Sequence, residues 1–294
     1  MSTTPNGPLF KKVVIIGVGL IGSSLAHNIR KYGLAGEVVG VSRSAENREK
    51  ILELGLAQSV SDDAAAAVQG ADCVLLCTAV GAYGPLAKQI ADHLQPGCII
   101  SDVGSTKGSV IRDVAPHLPD HVHFVPAHPI AGTEQSGPAA GFESLFRDRW
   151  VILTPLPDTP REPVDKIVAL WSACGAMIDE MDPLHHDRVL AMTSHLPHLI
   201  AYTIVDTAAQ LEDDLKSEII KLSRRGRRRD GLSVDAIGAG LGASPEYARA
   251  RACRSVSHFP TGAAGGAHDT APHVSGKWPQ PRYGRSQVGK YVVS

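Results

Sequence analysis

The 294-residue sequence predicts an α/β fold, in which a doubly wound, mainly parallel sheet is followed by a helical second domain. Three observations predict this fold. Short runs of Val, Ile, Leu and Cys alternate with segments of helical spacing between residues 12 and 154. These runs are apolar on both faces, as expected for strands covered by helices on two sides. After Pro155 the alternation ends, and an Ala- and Leu-rich helical region follows.

The predicted elements follow one another in a regular order. Short strand candidates occupy residues 13–16, 38–41, 73–77, 98–102, 122–125 and 150–153. The spacing of apolar residues predicts helices over residues 21–31, 45–53, 85–93 and 160–174. A short strand at 176–180 precedes the helical region 183–215, in which Pro197 predicts a kink.

Length and composition exclude several classes of protein. The length allows about two domains, and 43% apolar with 20% charged residues excludes a mostly disordered chain or a collagen-like repeat. No run of 18 apolar residues occurs, and the first twelve residues lack an apolar stretch, so we expect neither a membrane span nor secretion. The five cysteines form no C-x-x-C pair, which favours a reduced, cytoplasmic protein.

The distribution of charge divides the chain into two parts. Residues 1–223 contain 17 Lys and Arg against 26 Asp and Glu, whereas residues 224–294 contain 12 against 4. Such a switch indicates a C-terminal tail of different character. The low hydrophobic density and positive charge of this tail favour disorder.

The first predicted strand runs directly into a G-x-G-x-x-G motif formed by Gly17, Gly19 and Gly22. Gly17 allows the tight turn, Gly19 lets the backbone approach a pyrophosphate, and Gly22 lets the helix pack closely on the strand. The free N–H groups of the helix N-terminus, at Leu20 and Ile21, are suited to bind phosphate oxygens. Because a strand and a helix flank the motif, we interpret it as a dinucleotide-binding site rather than a simple glycine turn.

Ser42 and Arg43 follow the second predicted strand, where the residue that contacts the adenosine ribose is expected. NAD-selective sites often have Asp or Glu at this point, and this chain has neither. Arg43 could hold a 2′-phosphate by charge-assisted hydrogen bonds, or it could stack beside adenine or extend into solvent. The sequence is therefore compatible with NAD or NADP as cofactor.

Three further polar segments follow predicted strands. In a doubly wound sheet, ligands bind beyond the carboxyl ends of the strands, so these segments are expected near the ligand. Thr78 is small enough to leave room for the cofactor. Ser105 faces the cleft and is placed to cap the next helix, and capping alone remains an alternative. His128 precedes Pro129, which holds its backbone extended. An imidazole at this edge is suited to act as general base for an alcohol that loses hydride, with a purely structural role as the alternative.

Two histidines of the predicted helical region, His195 and His198, share a helix face if the helix continues through Pro197. We interpret them as a pair that faces the substrate, with buried structural histidines as the alternative. Metal ligation is disfavoured because no H-E-x-x-H motif accompanies them, and no metal site is predicted. His185 and His186 diverge on the helix, so we expect both on the surface.

The glycine motif 17–22, the segment 102–108, the segment 128–134 with Ser136 and Gly137, and the segment 194–198 occur in this order. Together they resemble the prephenate/arogenate (cyclohexadienyl) dehydrogenase family, over about residues 11–223. The resemblance implies a Rossmann-type domain and a tyrosine-pathway enzyme. Such an enzyme oxidatively decarboxylates prephenate or arogenate and transfers the hydride to NAD+ or NADP+.

The resemblance also implies roles for individual side chains. His128 accepts a hydrogen bond or a proton from the ring hydroxyl, and Ser105 supports His128 and the hydroxyl. The residues implied to contact substrate are Thr133, Glu134, His195 and His198. The family further implies a homodimer, provided that its C-terminal helices are intact.

One family segment is missing from this chain. After the stretch matched by residues 218–223, the family has a Gly-rich G-F-R-D-x-T-R-like segment with a substrate-binding Arg, whereas this chain continues R-R-G-R-R-R-D at 224–230. We hypothesise that residues 224–294 arise from a shifted reading frame or a replaced C-terminus, which would weaken or abolish activity. A tail that binds nucleic acid is the alternative. The Arg run is short and lacks aromatic residues, so no nucleic-acid partner is predicted.

Four segments describe the predicted organisation: a flexible N-terminus 1–10, a dinucleotide-binding domain 11–180, an incomplete helical substrate and dimerisation domain 181–223, and the basic tail 224–294. Two other functions remain open. A 3-hydroxyacid-type dehydrogenase shares the glycine motif but depends on a Lys in its helical domain, and residues 183–215 contain no lysine. A catalytically silent dinucleotide-binding module would keep the motif without turnover.

Overall fold

The computed structural model describes residues 7–197, 199–200 and 203. The chain divides into two compact units, Met1–Thr193 and Ser194–Ser294. Nearly all described residues belong to the first unit, and the predicted tail 224–294 lies outside them. Helix α7 (Pro183–Leu190) belongs to the first unit. The predicted domain division at residue 180 stays a prediction.

The main sheet of the first unit has six strands in the order β3-β2-β1-β4-β5-β6, and every neighbouring pair is parallel. The strands are β1 (Phe10–Ile16), β2 (Ala35–Val41), β3 (Ser59–Ser61), β4 (Cys73–Leu76), β5 (Ile99–Asp102) and β6 (His123–Val125). The strand order reverses direction between β1 and β4, which creates a crevice at their carboxyl ends. The predicted doubly wound, mainly parallel sheet is confirmed.

Helices cover both faces of this sheet. They are α1 (Leu20–Lys31), α2 (Ala45–Glu53), α3 (Ala64–Ala67), α4 (Tyr83–Ile90) and α5 (Lys107–Val114). The side chains of β1 alternate between two apolar cores: Val13 and Ile15 belong to one, and Val14 and Ile16 to the other. This arrangement explains why the strand sequences are apolar on both faces.

A second, three-stranded sheet contains β7 (Ala127–Pro129), β8 (Trp150–Leu153) and β9 (Met177–Glu180), with α6 (Arg161–Ala173) between the last two strands. Strand β7 is antiparallel to β8. Residues 150–153 thus form the predicted strand, but they do not join the parallel sheet. The chain changes sheets at Pro126, which lacks the N–H needed to extend β6 and whose carbonyl accepts from the Thr154 amide.

Helix α7 begins with Asp182 as its N-cap and with Pro183 in its first turn, and it changes to a π-helical turn at Ala191–His195. Pro197 lacks an N–H and its ring clashes with the carbonyl of residue 193 in a regular α-helix, which accounts for the irregular turn before it. The predicted distortion therefore occurs one turn ahead of Pro197. No helix among the described residues combines the length and apolarity that a membrane crossing requires.

Candidate functional site

Two of the three motif glycines are required by the protein's own packing. Gly17 has φ +94°, and a Cβ there would lie 2.6 Å from the Thr78 side chain. A Cβ at Gly22 would lie 2.5 Å from the Gly17 carbonyl oxygen. These positions hold β1, the turn and α1 in close contact, as the sequence predicts.

Gly19 is different, because nothing in the described part of the protein requires a glycine there. Its φ of −93° suits any residue, and a Cβ would meet no atom of residues 7–197 within 4 Å. Helix α1 begins at the next residue with no side-chain cap and no acidic residue in its first turn. An open space beside uncapped N–H groups fits a pyrophosphate bound at the predicted amides of Leu20 and Ile21.

The Thr78 hydroxyl oxygen, beside the glycine turn, is buried, and no described residue hydrogen-bonds it. A buried hydroxyl is unfavourable until a partner satisfies it. This second observation also fits a dinucleotide in the crevice, since Thr78 follows β4 at the point where the strand order reverses.

We expect Gly19→Ala to weaken dinucleotide binding without changing stability. The added methyl group would enter the open space, and a steric cost of about 1–3 kcal/mol raises Kd about fivefold or more. Gly22→Ala is the contrasting variant, because its methyl group would collide with the Gly17 carbonyl and lower the melting temperature. Calorimetric NAD+ titration and thermal unfolding check both. Unchanged affinity in Gly19→Ala would remove this glycine from the cofactor site.

The turn after β2 is held by a residue that the sequence analysis did not identify. The Arg48 guanidinium donates to the carbonyl oxygens of Ser42 (2.8 Å) and Arg43 (3.0 Å), and it pairs with Asp62. The Ser44 hydroxyl caps α2. The backbone of the predicted adenosine site is therefore fixed, while the Arg43 side chain is exposed and available to a ligand.

A buried ion pair lies at the carboxyl end of β5. Lys107 Nζ is 2.6 Å from Asp102 Oδ2, and both side chains are fully buried. The Gly104 amide also donates to Asp102. Burial raises the pKa of Asp102 and lowers that of Lys107, and their mutual attraction opposes both shifts. The sequence does not predict this pair, because Lys and Asp are rarely fully buried and both residues would be expected at the surface.

This pair fixes the start of β7. Lys107 Nζ donates to the Ala127 carbonyl (2.6 Å), and the Ala127 amide donates to Asp102 Oδ1 (3.2 Å). The residue before His128 is thus held through both of its backbone groups. His128 itself pairs with Ile152 in the second sheet. The backbone that carries the predicted catalytic imidazole is therefore rigidly supported.

The His128 side chain is buried and contacts a second histidine. Its Nδ1 lies 2.9 Å from His186 Nε2, and His186 Nδ1 lies 2.8 Å from Asp187 Oδ1. The prediction that His186 is a surface residue is wrong, since its side chain is fully buried. Helix α7 packs against α5 and turns this residue inward, while the adjacent His185 is exposed.

The predicted capping role of Ser105 is wrong as well. Helix α5 begins at Lys107, and its N-cap is Thr106, whose hydroxyl bonds to Ser109. The first two amides of α5 donate to the Asp187 carboxylate at 2.7 and 2.8 Å. Ser105 is exposed and makes no side-chain hydrogen bond among the described residues, so its catalytic role stays a prediction.

The predicted substrate residues are located only in part. Thr133 and Glu134 are exposed in the loop after β7. This loop is fastened to α1, because the Phe142 amide donates to the Ser24 hydroxyl and the Asn28 amide group donates to the Glu143 carbonyl.

His198 lies outside the described residues, as does the side chain of His195. Both assignments therefore remain predictions.

Taken together, the glycine turn, the uncapped helix and the buried imidazole beyond β6 define a dinucleotide-binding oxidoreductase. The family model described as prephenate dehydrogenase, nucleotide-binding domain, matches residues 25–180, and that of the dimerization domain matches residues 182–229. The chain belongs to the prephenate dehydrogenase family.

Individual relatives agree with this membership. Cyclohexadienyl dehydrogenase of Zymomonas mobilis is 43% identical over 228 residues, which cover 78% of this chain and 77% of that protein. Prephenate dehydrogenase of Bacillus subtilis is 34% identical over 194 residues, 66% of this chain, which spans only 52% of that relative. The structure of Aquifex aeolicus prephenate dehydrogenase with hydroxyphenyl propionate and NAD+ superposes with a TM-score of 0.66 at 26% identity, covering 87% of this chain and 90% of that one.

Proposed function

We propose that this protein oxidatively decarboxylates prephenate or arogenate, with hydride transfer to NAD+ or NADP+, as a step of tyrosine biosynthesis. The observation that carries this proposal is the buried His128, which is hydrogen-bonded through Nδ1 and carried by a rigidly held strand that directly follows β6 of the dinucleotide-binding sheet. This arrangement supplies one oriented base. Membership of the prephenate dehydrogenase family indicates the class of substrate.

The chemistry needs little more than orientation and that base. When bound, NAD+ or NADP+ would supply the acceptor for the hydride that leaves the carbon carrying the ring hydroxyl. His128 takes the hydroxyl proton as that carbon becomes a carbonyl. The ring carboxylate then leaves as carbon dioxide, and the electron pair of the broken C–C bond shifts through the ring to the carbonyl oxygen, which takes the proton back from His128 as the ring becomes aromatic. Because aromatisation drives this step, the protein mainly has to hold the reacting groups together.

The remaining predicted site residues are proposed to position the substrate. We propose that Ser105 supports the hydroxyl, and that Thr133 and Glu134 border the substrate pocket, which their place on the loop after β7 supports. His195 and His198 are proposed to contact the substrate from the helical region. The family's arginine segment is missing after residue 223, so we expect weaker turnover than in relatives that have it.

We also propose an oligomeric state and a cellular location for the protein. The match of residues 182–229 to a dimerization domain supports a homodimer. The four cysteines within the described residues are free thiols, which supports a reducing cytoplasm.

Turnover assays test the proposed function directly. Prephenate and arogenate are each incubated with the protein and with NAD+ or NADP+, while the absorbance of the reduced nicotinamide is followed. Turnover with at least one substrate is expected. Cofactor binding without turnover of either substrate would favour a silent dinucleotide-binding module.

Cofactor preference depends on Arg43, if its guanidinium binds the 2′-phosphate. Arg43→Gln is then expected to raise the Kd for NADP+ about tenfold or more and to leave the Kd for NAD+ unchanged, since a hydrogen bond to a charged group contributes about 1.5–3 kcal/mol. Fluorescence titration with both cofactors measures this. Equal effects on the two cofactors would instead place Arg43 beside adenine or in solvent.

A further inference from the structure

We propose that His186 and Asp187 are positioning residues that fix which nitrogen of His128 carries the proton, and thereby make His128 a base. This inference rests on the proposed function, in which His128 accepts the hydroxyl proton. Neither residue was expected to take part from the sequence. The structure connects them to His128 in one hydrogen-bonded chain that ends at the N-terminus of α5.

Asp187 determines which atom donates and which accepts in each of these hydrogen bonds. Its Oδ1 accepts from the Lys107 amide at 2.7 Å, and its Oδ2 accepts from the Gly108 amide at 2.8 Å. Burial alone would raise the pKa of Asp187, but the hydrogen bonds from His186 and from these two amides hold it below its ordinary value. An ionised carboxylate can only accept, so His186 Nδ1 must donate to it.

The proton positions of both histidines follow from that donor. A neutral His186 with its proton on Nδ1 has an acceptor at Nε2, which lies 2.9 Å from His128 Nδ1. His128 Nδ1 must then be the donor. A neutral His128 with its proton on Nδ1 has its basic lone pair on Nε2, the nitrogen that the proposed reaction requires.

The same chain stabilises the product of proton transfer. When His128 accepts the hydroxyl proton it becomes positively charged, and its Nδ1–H remains directed at a histidine that is itself bonded to a carboxylate. Charge-assisted hydrogen bonds are stronger than neutral ones, so the chain strengthens as the charge develops. A role of Asp187 as helix cap alone would provide neither this effect nor the proton placement.

Three variants separate these roles. In Asp187→Asn, the amide oxygen can accept from the Gly108 amide, while the NH2 takes the place of Oδ1, which in the wild type accepts from both His186 Nδ1 and the Lys107 amide. In this orientation the bond from the Lys107 amide is lost, every hydrogen bond between residues 187 and 128 is reversed, and the His128 proton lies on Nε2. We expect kcat to fall about 10²–10⁴-fold, as for other histidine bases in the wrong tautomer, with NAD+ affinity unchanged.

In His186→Gln, the side-chain oxygen can still accept from His128, and we expect a smaller loss of kcat, about tenfold. His185→Gln, on the exposed neighbour, is the matched control and should change nothing.

The decisive readout does not depend on activity. Nitrogen-15 NMR of the full-length protein reports which ring nitrogen carries the proton, and the His128→Asn spectrum assigns the signal. We expect the proton on Nδ1 in the wild type and on Nε2 in Asp187→Asn. An Nε2 proton in the wild type would overturn the proposal. A lower melting temperature in Asp187→Asn with an unchanged His128 tautomer would also overturn it, because Asp187 would then only stabilise the N-terminus of α5.

This readout also distinguishes the two proposals. If the wild type converts neither prephenate nor arogenate but Asp187→Asn still moves the proton, the proposed function fails while the assignment of His186 and Asp187 as positioning residues stands. If turnover is present and the tautomer does not move, the function stands and this inference fails.

Discussion

Replacing His128 by Asn is expected to reduce turnover by about 10³-fold and to leave NAD+ affinity within about twofold of the wild type. A positioned general base contributes about 10²–10⁴ to the rate, and asparagine cannot accept the hydroxyl proton at neutral pH. The asparagine amide can still donate to His186 Nε2, so the buried hydrogen bond need not be lost. The dinucleotide site around Gly19 and Thr78 is unchanged in this variant.

Steady-state kinetics and NAD+ titration measure the two effects separately. His93→Asn is the matched control, since His93 is exposed on the 3₁₀ turn after α4 and should have wild-type kinetics. Wild-type kcat in His128→Asn would show that the imidazole is not the base. A parallel loss of NAD+ affinity would assign His128 to cofactor binding.

Replacing Lys107 by Met is expected to lower the free energy of unfolding by about 3–5 kcal/mol. The substitution leaves the Asp102 carboxylate buried without its cation, and removing one partner of a buried pair is costly. It also removes the donor to the Ala127 carbonyl, so the start of β7 loses part of its support. We therefore expect turnover to fall along with stability.

Urea unfolding of the full chain, followed by circular dichroism, measures the first effect. Lys50→Met is the matched control, because Lys50 forms an exposed ion pair with Glu53 and such pairs contribute about 0–1 kcal/mol. A loss below about 1 kcal/mol in Lys107→Met would contradict the structural role of the buried pair.

The sequence alone sufficed for the parallel sheet and the glycine turn. Strands covered on both faces have continuous apolar runs, and the G-x-G-x-x-G motif imposes a local geometry that neighbouring residues determine. The sheet to which residues 150–153 belong was not predictable. A strand's periodicity records its burial but not its pairing partner, and here the partner is β7, more than twenty residues earlier.

The errors at the site have a common physical cause. Ser105 and Thr106 both bear hydroxyls that can cap a helix, yet the first two amides of α5 donate instead to the carboxylate of Asp187, about 80 residues away in sequence. His185 and His186 are equivalent in the sequence, and only the packing of α7 on α5 buries one of them. Long-range contacts of this kind leave no local pattern.

A crystal structure with NAD+ and a hydroxyphenyl propionate analogue tests most directly whether His128 is the base of a hydride-transfer site. We expect the nicotinamide ring to lie beside the analogue and His128 Nε2 to be about 3 Å from the ring hydroxyl oxygen. A nicotinamide bound away from His128, or a hydroxyl that contacts another group in its place, would contradict the assignment.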